Sequence, residues 1–188
     1  GKFGLGLYMK SLQRVRTTAD GYFGIKVQPK QLANIVGKQK DGMQNFLNNF
    51  DRIVILTRRD KLGQAISGTI AQVTGKWMND ESEPEMDEAK IPAMFPLIAR
   101  NMNMYFREEQ MLLSVAKAVG KPVLRIEYEE IEKDGDAAFA SLVDFLAAGD
   151  TKNIVEDSSF AVVPEKPVGL MAQKIRSQYI AFMTGEAK

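Results

Sequence analysis

The chain has 188 residues, 26% of them charged and 45% hydrophobic, with 25 Lys and Arg against 24 Asp and Glu. This fits one domain of ordinary size, and a net charge of +1 argues against a nucleic-acid binder working by bulk charge. Cys and His are both absent, which excludes disulfides, cysteine or histidine metal sites, thiol nucleophiles and every Ser-His-Asp triad. Any catalysis must run on carboxylates, Lys, Arg, Tyr or Ser/Thr. No apolar run reaches the roughly 18 residues of a membrane helix, and no signal peptide is visible. The expectation is a single domain over 1–188, cytoplasmic, with no transmembrane segment and no nucleic-acid partner.

Leu5, Met9, Leu12 and Val15 recur at helical spacing, so a helix is expected over Leu5 to Arg16. Ala19-Asp20-Gly21 signals a turn. Tyr22 to Val27 reads as a short strand ended by Pro29. Met43, Phe46, Leu47 and Phe50 mark a helix. Ile53-Val54-Ile55-Leu56 is apolar throughout, the pattern of a central parallel strand covered on both faces. Asp60 is positioned to cap a helix from Lys61 to about Thr74, which Gly75 ends. The acidic stretch Asp80 to Glu88 reads as an exposed loop. Ala93 to Val119 is a long helical stretch whose methionines face the core, stopped by Gly120 and Pro122. Val123 to Tyr128 is the next strand. Asp136 to Ala147 is a helix with Phe139, Leu142, Val143 and Leu146 inward. Residues 150–167 read as irregular, and Val168 to Met183 as a final amphipathic helix. Strands alternating with helices argue for an α/β three-layer domain with a mostly parallel central sheet.

Charge is uneven along the chain. Gly1 to Lys61 holds twelve Lys/Arg and four Asp/Glu, a difference of +8. Within it, Arg58 to Ser67 (RRDKLGQAIS) follows the apolar strand and opens a helix. In open α/β sheets ligands bind at such strand-to-helix corners. Arg59 at the strand end and Ser67 on the second turn of the helix are candidates to close on one anionic group, with the helix N-terminus adding partial positive charge. A guanidinium suits phosphate because its planar fork bonds two oxygens at once. Gly68 to Lys76 ends in Gly-Lys, but Trp77 follows and the glycine spacing is wrong for a Walker A loop. Trp77 itself reads as a core or hinge residue.

An Arg at a strand end with a Ser eight residues on resembles the 3′-phosphate-binding motif of sulfotransferases that use 3′-phosphoadenosine 5′-phosphosulfate. The longer string LTRRDKLGQAISGTIAQVTGKW, Leu56 to Trp77, resembles the trehalose 2-sulfotransferase family of bacterial carbohydrate sulfotransferases. RTTADGYFGIK (Arg16 to Lys26), IEYEEI (Ile126 to Ile131) and SLVDFLA (Ser141 to Ala147) resemble further segments of such enzymes, in the right order. The resemblance implies a P-loop NTPase-like sulfotransferase fold and sulfuryl transfer from 3′-phosphoadenosine 5′-phosphosulfate to a carbohydrate or glycolipid hydroxyl, without a metal. It implies nucleotide binding by Arg59, Ser67 and Tyr128, with Tyr128 against the adenine, and a homodimer.

Lys26 resembles the strand lysine of cytosolic relatives and is the candidate catalytic residue; two positions on stands Gln28, where those relatives carry His. Such folds begin with a strand and a Ser/Gly/Arg loop that cradles the 5′-phosphosulfate. That loop is not in this sequence, and with Gly1 at its start it is expected to lie upstream, together with the family's catalytic base. The alternatives are a P-loop nucleotide kinase-like protein and a non-catalytic nucleotide-binding domain of the same fold.

Overall fold

The computed structural model describes residues 5–19, 21–37, 41–77, 86–147 and 169–186. Helix α1 (Leu5–Arg16) is followed by a turn at Gly21, whose φ of 87° suits glycine, and by an irregular segment. Then come α2 (Pro29–Val36), α3 (Gly42–Leu47), β1 (Ile53–Thr57), α4 (Lys61–Thr74) and the long α5 (Ile91–Val119). The chain continues through β2 (Val123–Glu127), α6 (Tyr128–Lys133), α7 (Gly135–Ala147) and α8 (Leu170–Thr184). Among the described residues the protein is mostly helical, with a two-stranded parallel sheet in which Ile53 pairs with Val123 and Thr57 with Glu127.

The 29-residue α5, about 43 Å long at the usual rise, joins two apolar clusters. Its C-terminal half contributes Ala116 to a cluster of Met9, Leu32, Val36, Phe46, Leu47, Ile53 and Ile55. Its N-terminal half packs Ile91, Met94, Phe95 and Ile98 against Ala65 and Ile66 of α4 and Ile175 and Tyr179 of α8. Between α4 and α5 the buried Asn101 amide donates to Thr69 Oγ1 at 2.9 Å, so a polar pair sits inside the helix contact. Gly68 lies against Tyr105: a Cβ there would stand 2.4 Å from the hydroxyl oxygen. A side chain at position 68 would therefore require the Tyr105 ring to move.

Several expectations are corrected. Tyr22 to Val27 has no regular secondary structure and is not a strand; no described strand lies beside it to complete a ladder. Its alternation survives, with Phe23, Ile25 and Val27 half-buried and Tyr22, Gly24 and Lys26 exposed. Pro29 opens α2 rather than ending a strand, since a residue without an N–H and with φ fixed near the helical value fits a first turn. Strand β1 is not covered on both faces: Ile53, Ile55 and Thr57 are buried, whereas Val54 and Leu56 are 39% and 55% exposed. Val15, Trp77, Phe139 and Leu146 are also exposed, and the larger side chains that α7 turns at least partly inward are Leu142, Val143 and Phe145. The expectations for Asp80 to Glu85, for residues 150–167 and for Val168 lie outside the described residues, as do the side chains of Leu5 and Asp20. No described helix is long and apolar enough to cross a membrane.

Candidate nucleotide site at the β1–α4 corner

The corner follows from local chemistry. Thr57 ends β1; Asp60 then caps α4, its Oδ1 accepting from the Gly63 N–H at 3.0 Å. Glu129, in the first turn of α6, accepts the N–H of Arg59 at 3.0 Å and of Asp60 at 2.9 Å, one on each carboxylate oxygen. Burial pushes the Glu129 carboxyl up, but these backbone donors and the Arg58 charge outweigh it and hold it below its ordinary value. The backbone donors in front of α4 are thus already engaged. The N–H groups of Arg59 and Asp60, just before the helix, are therefore not free for an anion, and the exposed side chains of the corner are what it presents to one.

Asp60 is also gripped from α8. Arg176 donates Nη1 to Oδ2 at 2.7 Å and Nη2 to Oδ1 at 3.0 Å, a two-pronged pair joining the last helix to the cap of α4. The Arg176 hydrogen bonds hold the Asp60 carboxyl below its usual range, against a partial desolvation.

A chain of alternating charges runs from the interior to the surface. Lys61 is buried, with its ammonium donating to the Arg58 carbonyl and paired with Glu109 of α5. Glu109 meets Arg125 Nη2 at 3.0 Å, and Arg125 Nε donates to Thr57 Oγ1 at 3.1 Å. Arg125 Nη2 also lies 3.4 Å from Glu127 Oε1, and Glu127 Oε2 takes Arg59 Nε at 2.5 Å. Beside this chain Arg58 stacks over the Tyr128 ring, 4.7 Å from guanidinium carbon to centroid. Burial raises the Tyr128 hydroxyl above its ordinary value, Glu132 adds to this, and Arg58 partly opposes it. Arg58 Nε and Gln64 Oε1 are buried atoms with no hydrogen-bond partner among the described residues.

The four sequence-predicted residues are therefore distributed as follows. Arg59 and Tyr128 come to the same sheet end, through Glu127 and Arg58. Ser67 is exposed on α4, six residues beyond Lys61 and so about 9 Å further along the axis. At 100° per residue it shares the helix face of Gly63 and Gln64. Lys26 is exposed on the irregular segment whose Phe23 and Val27 pack into the cluster around Ile53; no hydrogen bond or ion pair joins it to the corner. Glu109, Arg125, Glu127, Glu129 and Arg176 complete the corner, and none was singled out from the sequence. The only available signal was the acidic run after β2, which could be read as a helix start.

A groove of about 370 Å³ lies elsewhere, between α2, α3 and α5, lined among others by Val36, Met43, Met111 and Val115. None of the four candidate residues lines it. No group of three or more acidic side chains is arranged for a metal ion among the described residues. Comparison with known proteins gives no match: no family model, curated protein or solved structure is similar to this chain.

Proposed function

We propose that this protein is a sulfotransferase that moves a sulfuryl group from 3′-phosphoadenosine 5′-phosphosulfate to a hydroxyl of a carbohydrate or glycolipid, within a P-loop NTPase-like fold. The observation that carries the reading is the corner itself. An exposed arginine stands where a parallel strand passes into a helix, and a tyrosine stacked by a second arginine stands at the end of the neighbouring strand. The donor set suits a phosphorylated nucleoside. Arg59 is 64% exposed at its side chain, Ser67 offers an exposed hydroxyl further along α4, and Tyr128 offers an aromatic face. The resemblance of Leu56 to Trp77 to the trehalose 2-sulfotransferase family supports the same reading and supplies the acceptor class and the homodimer.

In this reading Arg59 and Ser67 hold the 3′-phosphate and thereby set the register of the sulfate, while Tyr128, backed on one face by Arg58, offers its other face to the base. The reaction forms a bond from the acceptor oxygen to sulfur, breaks the bond from sulfur to the bridging phosphate oxygen, and releases the acceptor proton to a base. No residue here is assigned as that base. Lys26 is the proposed partner of the bridging oxygen, where negative charge develops. Alignment and anion stabilisation are the protein's contribution, as in phosphoryl transfer. Calorimetric titration with adenosine 3′,5′-bisphosphate, ADP and AMP tests the assignment. The bisphosphate is expected to bind at least tenfold more tightly than the other two, a difference of about 1.4 kcal/mol; equal affinities would remove the 3′-phosphate site.

A further inference from the structure

Resting on that reading, we propose that Glu127 is a positioning residue which holds Arg59 by one edge of its guanidinium and so presents the other edge to the nucleotide phosphate. The geometry is specific. Glu127 Oε2 engages only Nε of Arg59, at 2.5 Å, and no other partner of that guanidinium lies among the described residues. Nη1 and Nη2 are left without a partner among the described residues, on a side chain that is largely exposed. Guanidinium is the one side-chain cation able to serve two oxyanions on different edges of the same plane. A lysine ammonium has no such edges.

Glu127 is itself fixed. Its side chain is only 21% exposed, its backbone N–H donates to Glu130 Oε2 at 3.0 Å, and its second carboxylate oxygen faces Arg125 Nη2 at 3.4 Å. Arg125 is anchored by Glu109 and Thr57, and Glu109 by the buried Lys61. Two acids therefore alternate with three bases in a line that ends on Arg59. The run carries one excess positive charge, and Arg59 is the member most open to solvent, so the attraction for an anion is delivered there. A flexible exposed arginine would have to lose side-chain freedom on binding phosphate; one already held at Nε has lost much of it. The opposite reading is that Glu127 competes with phosphate for Arg59. It predicts the opposite sign, because removing the carboxylate would then strengthen binding.

The test is a double-mutant cycle with adenosine 3′,5′-bisphosphate as the titrated ligand and thermal unfolding as the check on folding. Glu127→Gln is expected to weaken binding roughly three- to tenfold in the wild-type background. It is expected to have no further effect in Arg59→Lys, which keeps the charge and lacks the second edge. A general structural role would instead weaken binding equally in both backgrounds, and a competing carboxylate would make it tighter; either result overturns the proposal. Should Glu127→Gln fail to fold, Glu127→Asp replaces it, drawing the carboxylate back by one methylene with the same loss and the same background dependence expected. If the wild-type protein does not bind the bisphosphate, the functional reading falls and the proposal with it. If it binds and Glu127→Gln binds as well or better, only the role of Glu127 falls.

Discussion

Toward α5, the corner holds Lys61 and Glu109 with side chains 8% and 15% exposed; toward β2 and solvent it holds Arg59, paired through a single nitrogen. Between them Asp60 is clasped by Arg176 from α8. Four consecutive residues, Arg58 to Lys61, thus divide their labour by direction. The inward charges are matched and desolvated, so their removal should show in stability. The outward charge is matched on one edge only, so its removal should show in ligand binding. An ion pair taken out of water gains little net stability, yet removing one partner is costly because the other charge stays buried. An exposed pair is worth little in either direction.

The largest expected effect is on the inward side. Glu109→Ala leaves the Lys61 ammonium with only the Arg58 carbonyl and takes from Arg125 one of its two carboxylates, and should destabilise the fold by about 3 kcal/mol. Urea unfolding measures this. A change within about 0.5 kcal/mol would mean that the inward pair is solvated like the outward one.

The clasp between the two sides should give a smaller effect with a pH signature. Asp60→Asn keeps an acceptor for the Gly63 N–H, because Asn is as good a cap as Asp, and removes only the charge that Arg176 grips. With both partners more than a third exposed, the expected cost is about 1 kcal/mol at neutral pH. Asp60 and Glu129 both have lowered folded-state values. Their stabilisation is therefore complete above the ordinary carboxyl range, near pH 4, and is lost as pH falls through the folded values. Acid unfolding followed from pH 6 downward should be flatter for Asp60→Asn than for the wild type. Parallel curves would show that Arg176 does not favour the ionised carboxylate.

On the outward side, Arg59→Ala should leave unfolding within about 0.5 kcal/mol of the wild type. It should weaken adenosine 3′,5′-bisphosphate binding ten- to a hundredfold, about 1.5–3 kcal/mol. Calorimetry and urea unfolding on the same sample separate the two. A variant that loses stability but keeps its affinity per folded molecule would place Arg59 with the inward charges, and the contrast between the sides would disappear.

Local patterns in the sequence were sufficient for most of the helices and for the location of the corner. The Asp60 cap, the span of α4 and the stop at Gly75, with φ of 74°, are set by interactions within four residues, and they stand as read. So do α1 over Leu5 to Arg16 and the C-terminal stop of α5, where Gly120 has φ of 69°. The same holds for Arg59 just past a strand end; Tyr128, read as the last residue of the next strand, instead opens α6. Pro29, read as a strand end, was a local misreading, but the strand expectations failed on partners far away in the chain. Tyr22 to Val27 has strand alternation, but a strand exists only beside another. Ile53 to Leu56 is apolar throughout, but coverage depends on which elements pack over each face, and Val54 and Leu56 remain exposed.

The charges around the corner belong to the second kind. Glu109, Glu127, Glu129 and Arg176 lie between 48 and 116 residues from the Arg59, Asp60 and Lys61 groups they serve, and in sequence they look like any surface acid or base. Hydrogen-bond caps and helical periodicity are short-range, so the sequence alone determined them. Which carboxylate meets which guanidinium is decided only when β1 and β2 align in register and α5 and α8 close over α4, because an ion pair acts over a few ångströms and carries no signature of the loop that closes it.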